Sequence, residues 1–154
     1  MRARTSFYEH RRAVRILSAI FAFAVVVSVI HYTDNSVNLD DYPPAKNAPA
    51  SAALVLGAWF AFTAAGLAGY LLFRRRPSDL ALLLLAAYSG SGLIGIGHYL
   101  VPGATSMPWW RQAHVCLDIA SGIAMFSFVI WAAGARRHGE VSLTPRQVTQ
   151  QPGG

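Results

Sequence analysis

The sequence predicts an all-α polytopic membrane protein, a bundle of four transmembrane helices, and three observations carry that prediction. Apolar residues make up 54% of the 154-residue chain and charged residues only 13%, about half the roughly 25% of an average soluble protein. The apolar residues are clustered: four runs, over residues 16–32, 52–73, 80–101 and 113–133, each hold 17 to 22 residues. About 20 carry a helix across the hydrocarbon core. The positive charges alternate between the connecting segments. Arg2, Arg4, Arg11, Arg12 and Arg15 precede the first run, Arg74, Arg75 and Arg76 separate the second from the third, and Arg136, Arg137 and Arg146 follow the fourth. Only Lys46 and Arg111 fall in the other two connections. This positive-inside pattern places both termini in the cytoplasm and the protein in the cell's inner (plasma) membrane.

The net charge of +6 therefore does not point to nucleic acid. Its arginines read as topology determinants and as contacts for anionic lipids at the cytoplasmic face. The chain divides into a basic segment, 1–15, a transmembrane domain, 16–133, and a polar tail, 134–154, expected to be disordered. His10 belongs to the basic segment and is expected in solvent or among headgroups, and His138 belongs to the tail. The core of the first run is followed by Val29-Ile30-His31-Tyr32 rather than by a small-residue cleavage site, so it reads as an uncleaved anchor. The single Cys116 excludes an internal disulfide and a Cys-rich metal site, and reads as a small buried apolar residue.

Taken in order, the first span runs outward and ends at His31-Tyr32-Thr33-Asp34-Asn35. The connection over residues 33–50 is long, acidic at Asp40 and Asp41, and stiffened by Tyr42-Pro43-Pro44. It suits either a lid over the helix ends or a solvated connector. In the second span Gly57, Ala61 and Ala65 recur every four residues, with Gly66 and Gly69 beside them, and such spacing lets helices approach closely. Trp59 lies too deep for an interfacial belt and is expected to line the interior. Ser78 suits the N-cap of the third helix, where Asp79 meets the positive end of the dipole. Along that helix Tyr88, Ser91, Gly95 and His98 share a face, and its glycines admit either a neighbouring helix or a ligand. Pro102, Gly103 and Pro108 break the chain before the fourth span, and Trp109 and Trp110 mark an interface. Arg111 is expected to pair with an outer aspartate or a lipid phosphate. His114, Asp118, Ser121 and Met125 then form one stripe of the fourth helix.

With helices one and three running outward and helix four returning, His31, His98 and His114 fall at the same outer end, Asp118 a turn deeper, and Asp34 and Asn35 at the periphery. An ionised carboxylate inside a bilayer costs on the order of 2.5–3.5 kcal/mol at a helix centre, so something must offset it. One expectation is a transition-metal site, zinc, copper or iron, with His31, His98, His114 and Asp118 as ligands, although their spacing matches no metal signature. Three of them and a water would make a hydrolytic centre. Haem, on two of the histidines, is the weaker cofactor expectation. A second is metal-free acid–base catalysis on a lipid or isoprenoid substrate. The third is a structural membrane protein whose polar groups satisfy one another, Asp118 pairing with His114 or Arg111. Transport would require a homo-oligomer and shows no broken helix or inverted repeat. Whether the chain is an enzyme is left open by its sequence.

The run His31-Tyr32-x-Asp34-Asn35, with Asp41-Tyr42-Pro43 and Gly97-His98-Tyr99, resembles small uncharacterised four-helix bacterial membrane proteins. The likeness covers the outer ends of the first and third helices and implies membrane residence without a particular activity. The span count is also similar to the sterol-isomerase and sigma-2 receptor group, but the acidic intramembrane motifs of that group have no match here.

Overall fold

Serine caps and prolines set the boundaries between helices. A computed structural model describes residues 2–42 and 51–137, with four helices: α1 (Arg2–Val37), α2 (Ala52–Arg75), α3 (Asp79–Ile94) and α4 (Trp109–Arg137). Ser51 accepts a hydrogen bond from the Leu54 amide and Ser78 from the Ala81 amide, each at 3.2 Å, satisfying first-turn donors that have no helical partner. Pro77 holds Arg76 in the extended region, φ −156° and ψ 122°, and so ends α2. The third helix changes character after Ile94. From Gly95 to Leu100 the chain continues as a 3₁₀ helix, in a stretch where Gly92, Gly95 and Gly97 give little support to regular α geometry. Gly103, at φ +90°, then turns the chain in a conformation natural to glycine.

The first helix is unbroken through the basic segment and reaches about 54 Å at 1.5 Å per residue, well beyond the ~30 Å hydrocarbon core. Three further features differ from the sequence expectation. Cys116, read as buried, is exposed with its sulfur 3.2 Å from the Tyr99 hydroxyl, because it lies two residues from His114 and so on the opposite face of α4. His10 is buried, not solvated: its Nε2 lies 3.3 Å from the Arg74 carbonyl and its ring rests against Phe73, because α1 is long enough to cover the end of α2. Residues 134–137, assigned to the tail, continue α4. The remainder of that tail with His138, and residues 43–50 of the long connection with Pro43-Pro44, lie outside the described residues.

The helices run up and down in sequence order, each packed on the next, and α1 packs on α4 to close the ring. All four carry segments long and apolar enough to cross a membrane, and the surface they present is apolar: Phe23, Val26, Phe60, Leu83, Ile94 and Ile130 are exposed. The interior, by contrast, holds Ser28, His31, Ser91, Arg111, His114 and Asp118. Apolar outside and polar inside is the arrangement of an integral membrane protein. Leu17, Phe73, Leu85, Met125 and Phe128 fill the half of the bundle near Arg74–Arg76 and Arg136, the arginine end. There Arg136 pairs with Asp79. Tyr42, Ala104, Met107 and Val115 cluster at the opposite, histidine end.

Glycine sets how close the helices come. A Cβ on Gly92 would stand 2.4 Å from the Asp118 carbonyl oxygen, and one on Gly122 2.8 Å from that of Ser89. The backbones of α3 and α4 are therefore in contact, so the glycines of the third helix admit a neighbour at this depth. In α2 the contact stripe is Gly66 and Gly69, against Tyr88 and the Ala81–Leu85 turn, whereas Gly57 meets nothing.

Candidate functional site

Asp34 lies on the last turn of α1, and three donors from different parts of the chain converge on its carboxylate. Tyr42 reaches back across a 3₁₀ turn, Leu39–Asp41, to donate its hydroxyl to Oδ2 at 2.6 Å. Arg111, from the first turn of α4, donates Nε to the same oxygen at 2.9 Å, and Asn38 donates to Oδ1 at 2.7 Å. The Arg111 and Asp34 side chains are 5% and 12% exposed, so water screens this pair little and its geometry carries weight. Arg111 also donates to Asp41 at 3.2 Å, and its guanidinium lies over the rings of Tyr42 and Trp110, 5.0 and 4.8 Å from their centroids. The Tyr42 phenol is held well above its ordinary value, first by burial and then by its bond to the Asp34 carboxylate, against the opposing charge of Arg111.

The histidines continue from Asp34 into the bundle. His114 Nε2 lies 3.3 Å from Asp34 Oδ2, within ion-pair range though without the alignment of a hydrogen bond. Its other nitrogen, Nδ1, faces Nδ1 of His31 at 3.2 Å. A contact between two imidazole nitrogens needs one protonated and one bare. The negative charge of Asp34 favours the His114 proton on Nε2, which makes His114 Nδ1 the acceptor and His31 Nδ1 the donor. This tautomer assignment follows from the network. It leaves Nε2 of His31 as the basic nitrogen of an Asp34–His114–His31 line. His98 stands edge-on to His31, ring centroids 5.4 Å apart, and beside Tyr42 at 5.1 Å. Asn35 approaches His98 Nε2 at 3.5 Å, the outer limit of a hydrogen bond.

Asp118 is elsewhere. It is 1% exposed, and its Oδ2 has no protein partner. It pairs with neither His114 nor Arg111, both of which turn to Asp34 instead. Its electrostatic neighbours are the phenols of Tyr32 and Tyr88. Tyr32 donates to the Ser91 carbonyl at 3.1 Å. The Tyr88 hydroxyl is unpartnered, and Ser28 beside it already donates to the Val25 carbonyl and accepts from Trp59 Nε1, each at 3.1 Å. Trp59 thus does face the interior.

No protein-family model, curated protein or solved structure matches the chain. The chemistry of the site rests on its own geometry.

That geometry brings together three of the four residues expected as metal ligands, His31, His98 and His114, and leaves the fourth, Asp118, beneath them. Among the described residues no group of three or more His, Cys, Asp or Glu side chains is arranged to hold a metal ion. Asp34, expected at the periphery, is the hub, and Arg111 finds its predicted outer aspartate twice over, in Asp34 and Asp41. Sequence reading missed the part of Tyr42, whose signal was present: an aspartate eight residues upstream, across a turn short enough to fold back. Above Arg111 a cleft of about 460 Å³ opens at the histidine end, lined in part by Asp40, Asp41, Met107 and Pro108.

Proposed function

We propose that the histidine end of this membrane bundle is an acid–base site, in which Asp34, His114 and His31 act as one proton-handling line. The observation that carries the reading is the 3.2 Å contact between the two Nδ1 atoms, with Asp34 against the far nitrogen of His114. In these roles Arg111, Tyr42 and Asn38 fix the carboxylate, Asp34 orients His114, and His31 presents Nε2 as the base. His98 stands where it would contact a bound molecule beside His31. A lipid or isoprenoid substrate suits a base enclosed by four helices whose outer surface is hydrocarbon-facing. The charge pattern supports cytoplasmic termini, with the arginine end on anionic lipid of the inner membrane and the site at the outer face.

Nitrogen NMR on full-length protein labelled at histidine tests the reading. Scalar coupling between His31 and His114 is expected, and Asp34→Asn should change the tautomer of His114. Three independent histidines, or a tautomer indifferent to Asp34→Asn, would sink it.

A second reading, a transition metal at the His31–His114 pair, has one observation in its favour. The 3.2 Å Nδ1 separation is close to the ~3.3 Å edge of a tetrahedron with metal–nitrogen bonds of about 2.0–2.1 Å. Elemental analysis of protein purified without chelators or affinity-tag metal separates the two. A near-stoichiometric metal lost in His114→Ala would replace the acid–base reading with this one.

A further inference from the structure

Two buried polar atoms below the histidines, on adjoining helices, form no aligned hydrogen bond with the protein: Asp118 Oδ2 on α4 and the Tyr88 hydroxyl on α3, which has Ser28 beside it. Unpaired polar atoms are rare in protein interiors, and two on adjoining helices mark a place for a small polar ligand. The two residues are 1% and 3% exposed, so bulk solvent does not serve them. The ligand must also be small, because α3 and α4 touch backbone to backbone at Gly92 and Asp118.

We propose that Asp118 binds an exchangeable proton in the interior of the bundle, and that water held between Asp118 and Tyr88 links that proton to the histidine line one helical turn above. The surroundings favour a proton over any other cation. The titratable groups of other helices within electrostatic reach of Asp118 are Tyr32 from α1 and Tyr88 from α3, and His114 precedes it by one turn on its own helix. The titratable residues of α2 are Tyr70, Arg74 and Arg75, toward the arginine end. No ion pair to Asp118 forms among the described residues. A carboxylate without a counter-charge in such a place is neutralised by protonation. Two phenols beside one carboxyl offer too few oxygens for a metal cation, which takes six or more when hard. In the transfer, the Asp118 O–H bond breaks as its proton passes to water, and a water proton forms an N–H bond on an imidazole of the line. Carboxylic acid and imidazole become carboxylate and imidazolium, with no change of oxidation state. The inference rests on the proposed acid–base line only for the destination of the proton.

Infrared difference spectroscopy of the full chain in lipid nanodiscs tests it. A protonated-carboxyl band is expected that is lost in Asp118→Asn, kept in Asp34→Asn, shifted by transfer to D₂O, and bleached as pH rises. Tyr88→Phe, which leaves the carboxyl in place should Asp118→Asn fail to fold, is expected to slow the deuterium shift several-fold. Absence of the band at every pH in folded protein would overturn the proposal, and so would bleaching by sodium at constant pH. A band that D₂O does not shift, or one whose exchange ignores Tyr88→Phe, would overturn the water link. Independent histidines with the Asp118 band present would sink the acid–base line alone, and coupled histidines without the band would sink this inference alone.

Discussion

Asp34 is the residue on which the histidine end depends, and replacing it tests that dependence directly. Removing one member of a desolvated ion pair leaves the other charge uncompensated, at a cost of about 3–5 kcal/mol. Because Asp41 still faces Arg111, Asp34→Asn is expected near the lower figure, read as the loss of unfolding free energy in detergent. Asp41, whose side chain is 63% exposed, should cost less than about 1 kcal/mol when changed to Asn. Tyr42→Phe removes a bond to a charged acceptor, worth about 1.5–3 kcal/mol, and its effect carries a pH signature. The folded phenol is held above its unfolded value, so its stabilisation is complete below about pH 10, the ordinary tyrosine value, and is lost as pH climbs through the folded value. The advantage of wild type over Tyr42→Phe should stay constant up to about pH 10 and shrink above it. A flat difference across alkaline pH would show that the phenol is not held by Asp34. At this scale the sequence was only partly legible. The spacing of His114 and Asp118 placed them correctly on one face, but a shared face does not make a contact. Asp34, brought in by α1, sits closer to His114 Nε2, and only the packing of separate helices decides that.

The helices themselves are held by where glycine permits backbone contact. Gly92→Ala would press a methyl group on the Asp118 carbonyl and the Gly122 amide, neither of which can rotate away. Overpacking of that kind costs about 1–3 kcal/mol, and the upper end is expected, seen as a lowered melting temperature in detergent. Gly57→Ala meets nothing within 4 Å and should be neutral or stabilise by up to ~1 kcal/mol through helix propensity. Equal effects at the two positions would contradict the crossing of α3 and α4 described above. The motif of small residues in α2 was visible in the sequence, yet which of its two stripes is used was not. Small residues every four positions show where a close approach is allowed. Bulk on the partner, here Tyr88 and Leu84, selects Gly66 and Gly69.

For the molecule as a whole, the four spans were the most legible feature, because a bilayer demands an uninterrupted apolar run and such runs are local in sequence. Both described ends of the bundle, the start of α1 and the last turn of α4, lie at the arginine end, as an even number of crossings requires. A reporter fused after Gly154 should therefore be active only in its cytoplasmic form, and periplasmic activity would reverse the proposed orientation. The constellation of polar groups was less legible because each of its contacts joins residues far apart in the chain: His31 and His114 are 83 positions apart, Arg111 and Asp34 77. Sequence supplied the depth of each histidine, and the neighbours came from the ring of helices.

The passage from α to 3₁₀ geometry after Ile94 has a consequence for azimuth. A 3₁₀ helix turns about 120° per residue against 100° for an α-helix and rises about 2.0 Å rather than 1.5 Å. Over the three steps from Gly95 to His98, that rotates the imidazole about 60° further round the axis and lifts it about 1.5 Å. Rewinding the segment into α-helix would swing His98 away from His31 and Tyr42, so the local pitch of six residues sets whether the third imidazole faces the other two.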